Sequence, residues 1–281
     1  MAIAVLFPVY YQDSAELFEK ALQSVVKQDD CPEDIRIYLG VDGPLGTELE
    51  KVIQNNHADI YKLVRNPVHI GPAGILNKLI AELGNERLIF RMDADDISLP
   101  GRFRRQVEFM DANPDIHILG TSIEEYDTVN GECVLRTYPT DPEKIPKSIC
   151  FASPVAHPSV CFRPDVLHVR GGYPDIRGQD LALWFEALCQ GFRISNLEEP
   201  FVRMNVSPSF YARRRSTVRM WPEFKIFMTG IWKLHGVTWR YIFPLARLMF
   251  RLTPSSFARF IYKSGLRNYH AKFDRNRSEF Q

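Results

Sequence analysis

The chain has 281 residues, of which 45% are hydrophobic and 25% charged, with a net charge of +1. This mix excludes a disordered chain, and the length suits one large α/β domain or one domain with an appendage. The small total hides a division: residues 212–281 hold 15 Lys/Arg against three acids, which leaves 20 basic and 31 acidic residues before them.

An acidic body with a basic tail implies an anionic partner for the tail, either lipid or nucleic acid. The five cysteines (Cys31, Cys133, Cys150, Cys161, Cys189) form no C-x-x-C pair. That argues against a zinc site or a disulfide framework and fits a reducing cytosol. The apolar start Met1–Phe7 has no basic lead and meets Pro8 at once, so it reads as a buried strand rather than a signal peptide.

In chain order, Ile3–Phe7 predicts a strand, and Ser14 offers an N-cap to a helix carrying Leu17, Ala21, Leu22, Val25 and Val26. Ile35–Val41 predicts a second strand, followed by a helix over Leu49–Asn55 and a third strand over Ile60–Val64. Pro72 opens the next helix, and Leu88–Met92 is a fourth strand running into Asp93-Ala94-Asp95-Asp96. Alternating strands and helices mean βαβ units and a mostly parallel sheet, with ligands at the carboxyl ends of its strands. The middle of the chain predicts a helix over Arg102–Ala112, a strand over Ile116–Glu124 and a hairpin turn at Asn130-Gly131. A helix over Asp180–Gln190 and short strands near Arg193 and over Phe201–Met204 close the body.

The acidic run carries the strongest chemical signal. Alternate residues of a strand face one way, so Asp93 and Asp95 at its end can share one cation. Carboxylates, completed by substrate phosphates and water, are the ligands that Mg²⁺ and Mn²⁺ prefer. A bare D-x-D also reads as a solvated acidic turn; its place at the end of an apolar strand in a βαβ series favours the cation.

In order and spacing these segments resemble the inverting, GT-A-fold family 2 glycosyltransferases of bacterial O-antigen and exopolysaccharide assembly, over roughly residues 4–215. Phe7-Pro8-Val9-Tyr10 matches the family's opening P-x-Y, and Ser24-Val25-Val26-Lys27-Gln28 its S-[VI]-x-x-Q. Asp42 stands at the family's strand-two aspartate, with Gly43 where a second aspartate is frequent. Residues 66–77 (NPVHIGPAGILN) follow N-x-G-x-x-x-A-x-N loosely, with one residue more between Asn66 and Gly71. Asp93-Ala94-Asp95-Asp96 matches D-x-D-D, and Gly178–Trp184 resembles [ED]-D-x-x-[LF]-W with Gln179 in place of the first acid.

The resemblance implies an α/β GT-A domain over residues 1–211, with a nucleotide-sugar half (1–100) and an acceptor half (101–211). It implies donor contacts from Pro8, Val9, Tyr10, Asp42, Asn66, Gly71, Asn77, Asp93, Ala94 and Asp95. Asp93 and Asp95 would bind Mn²⁺ or Mg²⁺, with Asp95 the direct ligand, and Asp180 would be the base. Asp96, His157, Trp184 and Arg213 are secondary candidates. Asp180 also reads as a helix cap, Asp42 as part of a turn, His157 as a buried hydrogen-bonded residue and Arg213–Arg215 as a solvated basic face.

The implied reaction moves a hexose or N-acetylhexosamine from a nucleotide sugar, UDP being commonest, to a lipid-linked (polyprenyl diphosphate) saccharide. Residues 212–281 read as basic, aromatic, amphipathic helices with no run of ~20 apolar residues to span a bilayer. They suit peripheral attachment at the cytoplasmic face of a bacterial inner membrane; packing of their aromatic face on the body is the alternative. A nucleotidyltransferase would show a Gly-rich basic loop after the first strand, which Phe7–Asp13 lacks. A nucleic-acid-binding protein working through the tail is opposed by the acidic body, so no nucleic-acid partner is expected.

Overall fold

The computed structural model describes residues 1–28, 30–168, 171–206 and 217–252. The first half is β1 (Ala2–Tyr10), α1 (Ala15–Val26), β2 (Asp34–Asp42), α2 (Thr47–Asn55), β3 (Ile60–Asn66), α3 (Gly71–Ala81) and β4 (Leu88–Arg91). Then follow β5 (Ile97–Ser98), α4 (Arg102–Ala112), β6 (Ile118–Asp127), β7 (Cys133–Arg136), α5 (Ile145–Ser148), β8 (Cys161–Phe162) and α6 (Pro164–His168). The last elements are α7 (Gln179–Cys189), β9 (Ile194–Val206), α8 (Thr217–His235) and α9 (Ile242–Leu252).

Among the described residues the strands form one mixed sheet in the order β3-β2-β1-β4-β8-β6-β9-β5, with β7 paired to β6. β1 lies between β2 and β4, parallel to both, which explains why Ile3 to Phe7 is apolar without alternation. Ile3, Val5, Phe7 and Val9 face one core with Phe18 and Leu22 of α1 and Phe103 of α4. Ala4 and Leu6 face a second core with Leu76 and Leu79 of α3 and Trp184 of α7. Each such buried Leu, Ile or Phe contributes ~1.5–3 kcal/mol of transfer energy.

Register then places the chemistry. Tyr10 pairs with Asp42 and Asp42 with Asn66, so three polar side chains share the carboxyl edge of the parallel strands. Beyond β4 the sheet turns antiparallel through β8, and the β6–β7 hairpin turns at Asn130-Gly131 as the sequence predicts.

Two expectations are corrected. The two short strands near Arg193 and Phe201 are one 13-residue strand, β9. Register shifts around Ser122 let β9 carry extra residues near Glu198–Pro200 against a continuous β6, so a turn-like sequence stays within a strand. Strand pairing also stops at Arg91, so Asp93–Asp96 is a turn, closed by Asp96 N–H donating to Asp93 O at 3.4 Å. Within this segment Asp93 and Asp95 are half-buried while Ala94 and Asp96 are buried, so the two half-buried carboxylates still alternate with buried neighbours.

The beginning of the basic tail packs on the body. Ile226, Phe227 and Ile231 of α8 enter the second core, and Phe227 meets Phe185 of α7 edge-on at 5.9 Å. Tyr241 and Phe243 pack against the same core, which is the alternative reading of the aromatic face. The opposite faces leave Trp221, Trp232, Trp239, Ile242, Leu245 and Met249 exposed. Among the described residues no helix is long and apolar enough to cross a membrane. Residues 253–281, much of the basic tail, lie outside those described.

One buried side chain ties the halves together. Arg102, fully buried at the start of α4, donates to Arg91 O at 2.8 Å and to Pro158 O at 2.9 Å. Its Nε donates to Gln106, whose amide in turn donates to Leu119 O and Ser159 O. Burial pushes the guanidinium down to about 9, which still leaves it charged at neutral pH. Arg102→Met fills similar volume but leaves both carbonyls without their donor, at roughly 1–3 kcal/mol each. Urea unfolding of this variant is expected to show that loss; unchanged stability would contradict the role given to Arg102.

Candidate active site

At the carboxyl ends of β1, β2 and β4 the described residues enclose a cleft of about 570 Å³. The first half contributes Pro8, Val9, Tyr10, Asp13, Asp42 and His69. The turn after β4 contributes Arg91, Asp93, Ala94, Asp95 and Asp96. The second half contributes Arg136, Tyr138, His157, Asp180 and Asn205. The expected donor, metal and base residues Pro8, Val9, Tyr10, Asp42, Asp93, Ala94, Asp95 and Asp180, with Asp96 and His157, thus meet in one space.

Other candidates sit behind it. Asn66 is buried and donates from Nδ2 to Val68 O at 2.5 Å, shaping the loop before α3. Gly71 begins α3 and gives its N–H to Asp42. Asn77 holds Tyr173 by both amide groups, donating to its carbonyl at 2.8 Å and accepting its N–H at 2.7 Å. Trp184 is fully buried, stacked on Phe162 and edge-on to His157. None of these four is among the residues lining the cleft. Arg213, with Arg214 and Arg215, lies outside the described residues.

The carboxylates have distinct environments. Asp42, 2% exposed, accepts the N–H groups of Ile70 and Gly71 at 2.7 and 2.9 Å, so it anchors the loop as well as lining the cleft. Asp93 is paired with the buried Arg91. Asp96 accepts Asn205 N–H at 3.2 Å, and burial, reinforced by Asp93 and Asp95, holds its carboxyl well above the usual range. Burial likewise pushes Asp13 up to about 7, and Asp95 and Asp93 add to the effect. Asp180 is not the helix cap: Gly178, at φ +86°, is the N-cap of α7. Among the described residues no hydrogen bond engages the Asp180 carboxylate, which stands half-buried in the first turn of α7.

Arg91, Asp13, Tyr173 and Asn205 were not singled out from the sequence. A charged residue inside the apolar run Leu-Ile-Phe-Arg-Met was the available signal for Arg91. Asn205 and Tyr173 offer none, because each reaches the site only through tertiary packing.

The His157 ring lies with Nε2 2.9 Å from the Tyr173 hydroxyl. Burial, then the nearby Arg91 cation, pushes the imidazole from 6.5 down to about 4. The folded protein therefore refuses a proton that the unfolded chain accepts between these values. This contribution to stability is complete above pH 6.5 and is lost as pH falls toward 4. His157→Gln keeps a hydrogen bond to Tyr173 and removes the titration. Stability measured against pH is expected to fall less steeply in the variant over that window, and parallel curves would contradict the assignment.

Comparison with known proteins agrees with this geometry. The family model described as "Glycosyl transferase family 2" matches residues 4–157. Over 275 residues the chain is 29% identical to an Escherichia coli protein named UDP-Gal:alpha-D-GlcNAc-diphosphoundecaprenol beta-1,3-galactosyltransferase, covering 95% of this chain and 97% of that one. The fold is similar to that of S. aureus TarS at a TM-score of 0.63 and 17% identity, over 94% of this chain and 74% of that one. It is also similar to the mannosyltransferase PcManGT from Pyrobaculum calidifontis, solved with GDP-Man and Mn²⁺, at 0.61 and 16%, over 96% and 81%. With the GT-A-like sheet and the cleft at its carboxyl edge, the match over more than half its length places this chain in glycosyl transferase family 2.

Proposed function

We propose that this glycosyltransferase moves a hexose or N-acetylhexosamine from a UDP-sugar to a polyprenyl-diphosphate-linked saccharide, with inversion, in cell-surface polysaccharide assembly. The observation that carries the reading is the pairing, in one cleft, of Asp93 and Asp95 after β4 with an Asp180 carboxylate to which no described residue hydrogen-bonds. The E. coli relative, matched along 97% of its length, supports the substrate classes by its name.

The residues present suit Mn²⁺ or Mg²⁺. No group of three His, Cys, Asp or Glu side chains converges among the described residues. Such ions are commonly held by one or two carboxylates plus substrate phosphates, which Asp95 and Asp93 with a donor diphosphate would supply. When bound, the ion would neutralise charge developing on the leaving nucleoside diphosphate. Arg91 holds the Asp93 carboxylate in place. Tyr10 and Asp42 would bind the base and ribose.

Asp180 would take the proton of the acceptor hydroxyl as its oxygen bonds to the anomeric carbon and the bond to the diphosphate breaks. A single displacement needs one base and inverts the centre, whereas retention by double displacement needs a second carboxylate as nucleophile. The acceptor enters beside Asp180 and His157, from residues of the 101–211 half. Exposed Trp221 and Trp232 on α8 and Trp239 in the turn between α8 and α9, followed by the basic residues of the tail, would rest on an anionic bilayer at the cytoplasmic face, where such acceptors reside.

Nucleotide release from UDP-sugars with Mn²⁺, together with UDP binding, tests the assignment. Asp180→Asn is expected to lower kcat by ~10²–10⁴ with UDP affinity unchanged. Asp95→Ala is expected to lose both transfer and Mn²⁺-dependent UDP binding. Near-normal turnover in the Asp180 variant would remove the base from the reading.

A further inference from the structure

The residue that shares Tyr10 and Asp42 in this structure is His69. Its imidazole is stacked on the Tyr10 ring at 5.7 Å between centroids and 24° between planes. Its Nδ1 lies 2.9 Å from the Asp42 carboxylate, and the Tyr11 ring closes on it edge-first at 6.0 Å. Yet the side chain remains 47% exposed, at the border of the cleft.

The local sequence explains why a histidine reaches this point. Gly43 follows Asp42 at φ +87°, and a Cβ there would lie 3.0 Å from His69 N and 3.3 Å from His69 Cα. An aspartate at position 43 would therefore push the His69 backbone away, whereas glycine admits it. The loop is held from both sides, with Asn66 donating to Val68 O and Asp42 accepting from Ile70 and Gly71. The backbone under His69 is thus fixed, while its exposed ring can turn about its own side-chain bonds.

We propose that the His69 imidazole occupies the nucleobase position of the donor site when no donor is bound, and that the base displaces it. This rests on the donor reading above, which puts the base at Tyr10 and Asp42. A flat ring lying on a tyrosine and facing an aspartate with a ring nitrogen makes the two contacts a uracil would make with its face and its N3–H. The imidazole and the base cannot lie on the same face of Tyr10 and against the same Asp42 oxygen together. Donor binding then competes with an intramolecular contact, which lowers the apparent affinity by the fraction of molecules in which the site is filled. His69 becomes a specificity-determining residue, because a base must outdo the imidazole at both contacts to enter.

Calorimetric titration with UDP and, separately, with inorganic pyrophosphate, both with Mn²⁺, tests this on the full chain. His69→Ala is expected to bind UDP about three- to tenfold tighter, from one lost stacking contact and one lost close approach of Nδ1 to the Asp42 carboxylate at a partly exposed site. Pyrophosphate, which has no base, is expected to bind the two proteins equally. His69→Gln, which keeps an amide donor but not the ring, is expected to shift UDP binding in the same direction by less. If His69→Ala leaves UDP binding unchanged or weaker while Tyr10→Ala weakens it, the inference is overturned and the donor reading stands. Equal tightening of pyrophosphate also overturns it, since the effect would then lie at the phosphates. If Tyr10→Ala leaves UDP binding unchanged, the base is elsewhere and both readings fail.

Discussion

A guanidinium with no access to water, that of Arg102, fixes the relation between the two halves of the cleft. It binds the carbonyl at the end of β4 and the carbonyl of Pro158, beside His157, and so sets the distance between the acidic turn and the second half. Such a group is costly to bury and is retained only when its donors are used. Here they serve backbone carbonyls, Gln106 and the Met92 sulfur. The Asp180 carboxylate takes no part in this anchoring.

The same economy of charge organises the site. Four carboxyl groups, Asp13, Asp93, Asp95 and Asp96, gather near one another, with Arg91 paired to Asp93 as their cation. Like charges in a partly dry space cannot all ionise, and the burden falls on the half-buried Asp13 and the buried Asp96, whose carboxyls are raised. In the proposed function the half-buried Asp93 and Asp95 would take the cation and the phosphates it brings. His157 is held neutral by burial and the Arg91 field, so its ring faces the cleft as a hydrogen-bonding group and not as a charge.

Much of this was legible in the sequence, for physical reasons that differ by element. β1, β2 and β4 are buried on both faces, so their apolar runs announced them, and each ends at the polar residue that lines the cleft. Ser14 capping α1, with its hydroxyl accepting Leu17 N–H, and Pro72 in the first turn of α3 are local signals that tertiary contacts did not override. β9 was read as two pieces because Pro200 and two glutamates interrupt the pattern, and only pairing with β6 keeps the strand whole. Asn77 and Trp184 carry family-like spacing, yet the structure uses them one layer behind the cleft, on Tyr173 and His157. Sequence spacing reports that a residue belongs to the site's architecture; it does not report which layer the residue occupies.

The proposed reaction is a single displacement at one cleft, with one carboxylate acting as base. Its most direct test is the anomeric configuration of the product formed from an α-linked UDP-galactose or UDP-glucose donor, read by proton NMR. A single displacement gives a β-glycoside, with the large H1–H2 coupling of two axial protons. An α-linked product would mean retention at the anomeric carbon and would contradict the role given to Asp180.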